Sequence, residues 1–253
     1  MKDEVVTLMM VTYNRIDLTK QTLKALFENT KTNFNLVIID NASSDGTIDY
    51  LKDLEENLDE SCLDKLVVVY NDENKGIAVG RNQALVEADK LETTWYSTID
   101  NDVILPVEWL GKCIATLRDN KALGMVGVNF EKEEFPVVDA SGHLIQLKPR
   151  GNLGTACTVF NKKLHQALGF FSTEYGLYGE EDADMGMRAR VMGFKLAYLA
   201  ENGIHLGEGE NDQGEYREFK TACHKNNLKK FNNNVAKYHN NMKPLYIPFK
   251  GEK

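Results

Sequence analysis

The sequence predicts an α/β protein in which helices flank a mostly parallel central sheet. Short apolar and β-branched runs alternate with helical patterns through the first half of the 253 residues, and polar clusters follow four of these runs. Such alternation is typical of parallel sheets, because each parallel strand needs a long crossover that is usually a helix. An apolar content of 42% is enough for a sizeable core.

The predicted elements follow one another at regular spacing. In order they are a strand at 5–11, a helix at 17–28, a strand at 36–40, a helix from about 47, a strand at 66–70, a helix at 79–90, a strand at 95–100 and a helix at 107–120. After residue 124 the pattern loosens, with strand-like runs at 154–160 and 195–199 and a helix from about 181. We expect one domain followed by a helical extension.

Charge is distributed unevenly along the chain, whose net charge is −8. Residues 215–253 contain nine Lys and Arg against three Glu, a net of +6, so the remainder carries −14. This basic segment is either a solvated helical tail or a surface for an anionic partner or lipid phosphate. The four cysteines are scattered, which argues against zinc and disulfide frameworks. Because no apolar run approaches the roughly 20 residues that span a bilayer, we expect a cytoplasmic protein.

Polar clusters follow the first four predicted strands. They are TYNR at 12–15, DNASSDGT at 40–47, NDENKG at 71–76 and DND at 100–102. The carboxyl ends of parallel strands meet at one edge of a sheet, so all four clusters are expected to face one crevice. No G-x-x-x-x-G-K-[ST] or G-x-G-x-x-G motif is present, so the common nucleotide fingerprints are missing.

Two of these clusters, and Arg81 in the predicted helix at 79–90, have both a binding and a structural interpretation. DNASSDGT offers side chains that accept hydrogen bonds from a base or ribose, or it forms an ordinary turn and helix cap. Arg81 could reach a diphosphate or a base, or be a surface cation. Asp100 and Asp102 are expected on one side of the chain, where two carboxylates suit Mg²⁺ or Mn²⁺ and leave coordination positions for phosphates.

A second acidic cluster opens the helix predicted from about 181. Glu180, Glu181 and Asp182 lie in its first turn, where acids also complement the helix dipole without any catalytic role. Spacing at i, i+4 and i+8 predicts an apolar stripe that faces the core, formed by Ala183, Met187 and Val191.

Taken together, these motifs resemble glycosyltransferase family 2, a group of GT-A fold enzymes that use nucleotide-activated sugars. TYNR, DNASSDGT, NKGIAVGRNQAL, IDNDV, GEEDADMGMR and a late His205 occur in the family's order over roughly residues 5–207. The resemblance implies a GT-A catalytic domain at 1–213, with a nucleotide-sugar half at about 1–105 and an acceptor half at about 106–213. The basic helical extension would occupy 214–253.

The resemblance also implies a role for each matched residue. Asp40 and Asp45 look like base and ribose contacts, Arg81 like a diphosphate or base contact, and Asp182 like the general base of a Glu-Asp pair with Glu181. Asp100, Asp102 and His205 would hold Mn²⁺ or Mg²⁺. The donor site would comprise Thr12, Tyr13, Asn14, Arg15, Asp40, Asn41, Asp45, Asn74, Gly76, Arg81, Asp100 and Asn101.

The activity implied is metal-dependent, inverting transfer of one sugar from a nucleotide-diphosphate sugar, with a UDP-sugar favoured. The acceptor hydroxyl could belong to a glycan, a lipid, a protein or a modified DNA base, and the basic extension could contact an anionic acceptor or lipid phosphate. Residues 130–150 match no acceptor motif, and the Q-x-x-R-W signature of processive synthases is absent. Two alternatives stay open: a sugar-1-phosphate nucleotidyltransferase, and a sugar-nucleotide or glycan-binding module without catalysis.

Overall fold

The computed structural model describes residues 4–57, 60–130, 135–148, 153–154, 156–207 and 215–249. Within these ranges the strands, numbered in chain order, are β1 Val6–Thr12, β2 Phe34–Asp40, β3 Leu63–Tyr70, β4 Trp95–Asp100, β5 Val103–Ile104, β6 Leu123–Asn129, β7 Val137–Ala140, β8 His143–Lys148, β9 Cys157–Asn161, β10 Lys195–Asn202 and β11 Ile204–His205. The helices are α1 Ile16–Asn29, α2 Thr47–Asn57, α3 Ile77–Lys90, α4 Trp109–Asp119, α5 Lys162–Leu168, α6 Glu181–Val191 and α7 Glu215–His239, with a short 3-10 turn at Thr173–Tyr175.

Nine of these strands form one sheet in the order β3-β2-β1-β4-β9-β6-β10-β8-β7. All of them except β8 and β9 point in the same direction, which confirms the predicted, mostly parallel sheet. The chain moves outward from β1 through β2 to β3 and then returns to place β4 on the other side of β1. The strand order therefore reverses between β1 and β4, which is where open α/β sheets bind ligands.

Apolar side chains on the two faces of the sheet form two core clusters. Strand β1 shows the division: Leu8 and Met10 belong to the cluster that includes residues of α1 and α4, whereas Met9 belongs to the cluster that includes residues of α3, α5 and α6. Successive residues of a strand point to opposite faces, so one buried strand supplies both clusters.

Helix α6 departs from the predicted apolar stripe. Ala183 is buried, but Met187 and Val191 are only half-buried, so the predicted stripe is wrong. The helix instead buries Asp184, Met185, Arg188 and Ala189. Arg188 Nε donates to Asp184 Oδ2 at 2.8 Å, and this pairing lets two charged residues occupy core positions that periodicity assigns to apolar ones.

Helix α7 confirms the predicted helical extension and packs against α6. Asn227 Nδ2 donates to the backbone carbonyls of Tyr175 and Tyr178 at 2.6 and 3.0 Å, and the Tyr238 hydroxyl donates to Asp184 at 2.8 Å. The helix thereby holds the segment that leads into α6. Over the described residues, no helix has both the length and the apolar character that crossing a bilayer requires.

Candidate active site

A cavity of about 890 Å³ opens at the carboxyl ends of β1 and β4, where the strand order reverses. The turns after the first four strands all contribute to it, as the sequence predicts. The predicted site residues that line this cavity are Thr12, Tyr13, Arg15, Asn41, Asn74, Arg81, Asp100, Asn101, Asp102, Glu181, Asp182 and His205. The structure therefore brings the two acidic motifs and the late histidine to one cavity.

Four predicted donor-site residues are not among those that line the cavity: Asn14, Asp40, Asp45 and Gly76. Asp40 is fully buried, and its Oδ2 accepts from Thr12 Oγ1 at 2.9 Å and from Ser43 Oγ at 2.6 Å. Asp45 accepts from the backbone N–H of Ile16 at 2.9 Å, at the start of α1. These hydrogen bonds are typical of turns and helix caps. The base and ribose contacts predicted for Asp40 and Asp45 stay predictions.

Gly76 shapes the cavity through its backbone. Its φ is 86°, and a Cβ at this position would lie 2.7 Å from Leu177 Cα, so a side chain does not fit. Asn41 Nδ2 donates to the Gly76 carbonyl at 3.2 Å, and Gly76 N–H donates to Asn74 Oδ1 at 2.9 Å. This turn places Asn41 and Asn74 on the cavity wall.

Arg81 joins the two acidic motifs. Its Nη2 donates to Asp100 Oδ1 at 2.9 Å and its Nη1 to Glu181 Oε1 at 2.8 Å, while its guanidinium lies 5.6 Å from the centre of the Phe171 ring. Only 5% of Arg81 is exposed. A buried cation between two carboxylates neutralises charge that would otherwise be costly to desolvate. The predicted diphosphate contact of Arg81 stays a prediction.

Glu181 is an acid of the cavity with a strongly raised pKa. Its burial raises the pKa of the carboxyl to about 7, the Asp182 carboxylate adds to the rise, and Arg81 opposes it. Glu181 Oε2 is buried and has no hydrogen-bond partner among the described residues. The Asp182 side chain, next along α6, is half-buried, and its Oδ1 accepts from the Ala183 N–H at 2.6 Å. Strongly shifted acids in a cleft are typical of functional sites.

Asp102 and His205 meet because two short strands pair outside the main sheet. In the antiparallel pairing of β5 and β11, His205 lies opposite Val103, the residue after Asp102. His205 Nε2 lies 3.7 Å from Asp102 Oδ1, and Arg15 Nη1 donates to Asp102 Oδ2 at 2.8 Å. A Cβ on Gly207 would lie only 2.0 Å from Asp102 Oδ2, so a side chain at this position would displace the Asp102 carboxylate.

The donor set at Asp102 and His205 fits a divalent cation with two protein ligands. Adjacent ligands of an octahedral ion at about 2.1 Å are about 3.0 Å apart, so the 3.7 Å between His205 Nε2 and Asp102 Oδ1 would have to shorten somewhat when an ion binds. Among the described residues, no group of three or more His, Cys, Asp or Glu side chains is arranged to hold a metal. Water molecules and phosphate oxygens would complete the coordination.

The cavity also contains residues that sequence reasoning did not assign to it. Helix α7 contributes Phe219, Lys220 and His224, and the segment before α6 contributes Leu177, Tyr178 and Glu180. No local pattern could have placed α7 here, since its position depends on long-range packing against α6. Glu180 could have been assigned to the site from the sequence, because it directly precedes the Glu-Asp pair.

Two solved structures share this fold. A mannosyltransferase from Pyrobaculum calidifontis, in complex with GDP-Man and Mn²⁺, aligns with a TM-score of 0.63 and 19% identity over 86% of this chain and 60% of its own. S. aureus TarS, residues 1–349 in complex with UDP, aligns with a TM-score of 0.59 and 19% identity over 78% and 58%. The predicted GT-A architecture is confirmed.

Sequence comparison identifies the family. The Bacillus subtilis (strain 168) protein TuaG, named as a teichuronic acid biosynthesis glycosyltransferase, is 32% identical over 90 residues, which cover 36% of this chain and 32% of TuaG. The chain thus spans about a third of that relative and about 60% of the two structures. The profile of the family "Glycosyl transferase family 2" matches residues 7–190, which include every predicted site residue except His205, and the chain belongs to this family.

Proposed function

We propose that this chain transfers one sugar from a nucleotide-diphosphate sugar, a UDP-sugar in our favoured case, to an acceptor hydroxyl, with inversion at the anomeric carbon. The observation that carries the proposal is the convergence of Asp100, Asp102, Glu181, Asp182 and His205 on one cavity at the reversal point of the sheet. The family assignment and the ligands of the two similar structures, GDP-Man in one and UDP in the other, support the donor class.

The donor half of the reaction needs positive charge near the leaving diphosphate. Arg15 and His205 line the cavity beside Asp102, which supports a role for them in contacting a donor's phosphates. Mn²⁺ or Mg²⁺ held by Asp102 and His205 would supply neutralisation of the diphosphate when bound. Asp100 is the third predicted ligand, and in the structure its Oδ1 pairs with Arg81.

The acceptor half of the reaction needs a base. We assign this role to Asp182, which lines the cavity and whose side chain is half-buried, so an acceptor hydroxyl can approach it. Asp182 would take the hydroxyl proton as the oxygen attacks the anomeric carbon from the face opposite the diphosphate. Glu181 would assist through its charge, since its Oε1 is held by Arg81.

The experiment combines a thermal-shift panel of UDP-, GDP-, CDP- and dTDP-sugars, with and without Mn²⁺, and an assay of the released product. A ligand that binds only the native state raises its stability by about 2.7 kcal/mol at a hundredfold excess over Kd. Asp102→Asn should lose the Mn²⁺-dependent shift. Asp182→Asn should keep the shift and lose turnover, and Asp64→Asn, an exposed control, should keep both.

The same assay separates the alternatives. Release of a nucleoside diphosphate supports the proposal, whereas release of pyrophosphate identifies a nucleotidyltransferase. A thermal shift without any release identifies a binding module. Wild-type turnover in Asp182→Asn would overturn the base assignment.

We further propose that the basic outer face of α7 contacts an anionic acceptor or lipid phosphate. Lys225 and Lys229 are exposed on this face. Removing 215–253 would also remove part of the cavity wall, so point changes are the sharper test. Lys225→Glu with Lys229→Glu should reduce sedimentation with anionic phospholipid vesicles and make it less sensitive to salt, while thermal shifts with the sugar nucleotides stay unchanged.

A further inference from the structure

Helix α7 completes the wall of the candidate site from outside the region that matches the family. The family profile ends at residue 190, and α7 begins at Glu215. Three of its residues nevertheless line the cavity, namely Phe219, Lys220 and His224. A helix outside the matched region of the sequence therefore forms part of the cavity wall beside the acidic motif of α6.

His224 makes the most specific of these contacts. Its Nδ1 lies 2.6 Å from Glu180 Oε1, and only 7% of the Glu180 side chain is exposed, against 62% of the His224 side chain. A buried carboxylate needs a partner, and a histidine from α7 provides one. Burial raises the pKa of Glu180, His224 lowers it, and the Asp182 carboxylate raises it further.

Glu180 is also a strained point of the backbone. It precedes the first residue of α6 with φ 71° and ψ −6°, a left-handed conformation that residues other than glycine rarely adopt. Its carbonyl accepts from the Asp184 N–H at 2.9 Å and so closes the first turn of the helix, which contains Asp182. A strained conformation persists only where the surroundings hold it.

We propose that His224 is a positioning residue for the sugar-transfer reaction: by holding Glu180, it fixes the first turn of α6 and with it the orientation of Asp182. The inference rests on the proposed function, because Asp182 is the base only in that reaction. Besides His224, Asp182 and Glu181 on α6 are charged groups near Glu180, Arg81 of α3 lies against Glu181, and Lys220 of α7 lines the same cavity. With so many acids close together, loss of the His224 contact would disturb both the position and the charge of the motif.

The test compares His224→Ala and Glu180→Gln with His239→Ala, a control of the same residue type at the exposed end of α7. The first readout is hydrogen exchange of residues 176–182 in the protein without any ligand. The second is the rate of nucleoside-diphosphate release as a function of pH, with the donor that gives the largest thermal shift in the panel above.

In His224→Ala we expect faster exchange of 176–182, a kcat lower by about tenfold or more, and a donor KM close to wild type, because the base is displaced while the donor site stays intact. The pH profile of the rate should also change, because the loss of His224 leaves the charge of Glu180 without its partner beside Asp182. Adding Glu180→Gln should cost little more, because the two residues act as one unit. His239→Ala should behave as wild type.

Two results would overturn the inference. One is unchanged exchange of 176–182 in His224→Ala. The other is a lower melting temperature with wild-type kcat and pH profile, which would make His224 merely structural. A wild-type protein that releases no nucleoside diphosphate would instead refute the proposed function, and the exchange measurement would still decide whether His224 positions the start of α6.

Discussion

Arg81 Nη1 contacts Glu181 Oε1 at 2.8 Å, although 100 residues separate them along the chain. Through Nη2 the same guanidinium contacts Asp100, so one side chain ties the turn after β4 to the start of α6. The two acidic motifs of the sequence are thus parts of one electrostatic unit. A change at any of these three residues should therefore affect the other two.

Arg81→Ala should destabilise the protein strongly. The change leaves two carboxylates close together and without their cation, and breaking a buried ion pair in this way typically costs about 3–5 kcal/mol. Chemical denaturation should show a loss of this size, and the thermal shift with sugar nucleotides should disappear. Arg118→Ala is the matched control, because its pair with Glu4 is exposed and should contribute at most about 1 kcal/mol. Equal effects of the two changes would contradict the central role of Arg81.

Glu181 should make stability depend on pH. Its pKa is raised from 4.5 to about 7 in the folded protein, so between these values the folded state binds more protons than the unfolded state. The free energy of unfolding should therefore fall as the pH rises from 4.5 to about 7, with little further fall above that. In Glu181→Gln this contribution should be absent, whereas exposed Glu201→Gln should retain it. Parallel curves for wild type and Glu181→Gln in urea unfolding would refute the raised pKa.

Gly207→Ala should disturb the candidate metal site although none of its ligand residues is substituted. The new Cβ would lie 2.0 Å from Asp102 Oδ2 and 2.7 Å from Arg15 Nη2, so the side chain of Asp102 must move. We expect roughly tenfold weaker Mn²⁺-dependent donor binding, about 1.4 kcal/mol, in a titration followed by calorimetry. Gly154→Ala is the control, because the nearest described atom to its Cβ, outside the adjacent residues, would be Tyr198 Oη at 4.0 Å. Normal donor binding in Gly207→Ala would show that Asp102 is not needed in its present position.

The first half of the fold could be predicted closely because its signals are local. Strand β4 occupies the predicted residues 95–100, and α1 begins one residue before and ends one residue after its predicted bounds. The convergence of the strand ends also followed from the rule for parallel sheets.

The features that were missed depend on contacts between distant segments. The pairing of β5 with β11, which sets His205 beside Asp102, involves two residues from each strand, too few for any periodic signal. The burial of Arg188 in α6 depends on carbonyls of Leu168, Phe170 and Leu245, far from it along the chain. The spacing of apolar residues along one helix cannot predict hydrogen-bond partners in distant segments.

Arg188→Met should destabilise the protein by about 3–5 kcal/mol. Arg188 is fully buried, and it donates to Asp184 Oδ2 at 2.8 Å and to the carbonyl of Leu168 at 2.6 Å. Within the described part of the chain, its loss leaves a buried carboxylate with only the hydroxyls of Tyr175 and Tyr238 as donors. Urea unfolding measures the change, and limited proteolysis should cleave faster near residue 245, which loses its bond to Arg188.

The double variant Asp184→Leu with Arg188→Met distinguishes an unpaired charge from lost packing. When both partners are replaced by apolar residues, no buried charge is left, so the double variant should be more stable than Arg188→Met alone. Part of the loss should remain, because the Tyr175 and Tyr238 hydroxyls lose their acceptor and three carbonyls lose their donor. A double variant that is less stable than either single change would mean that packing, and not charge pairing, explains the burial of Arg188.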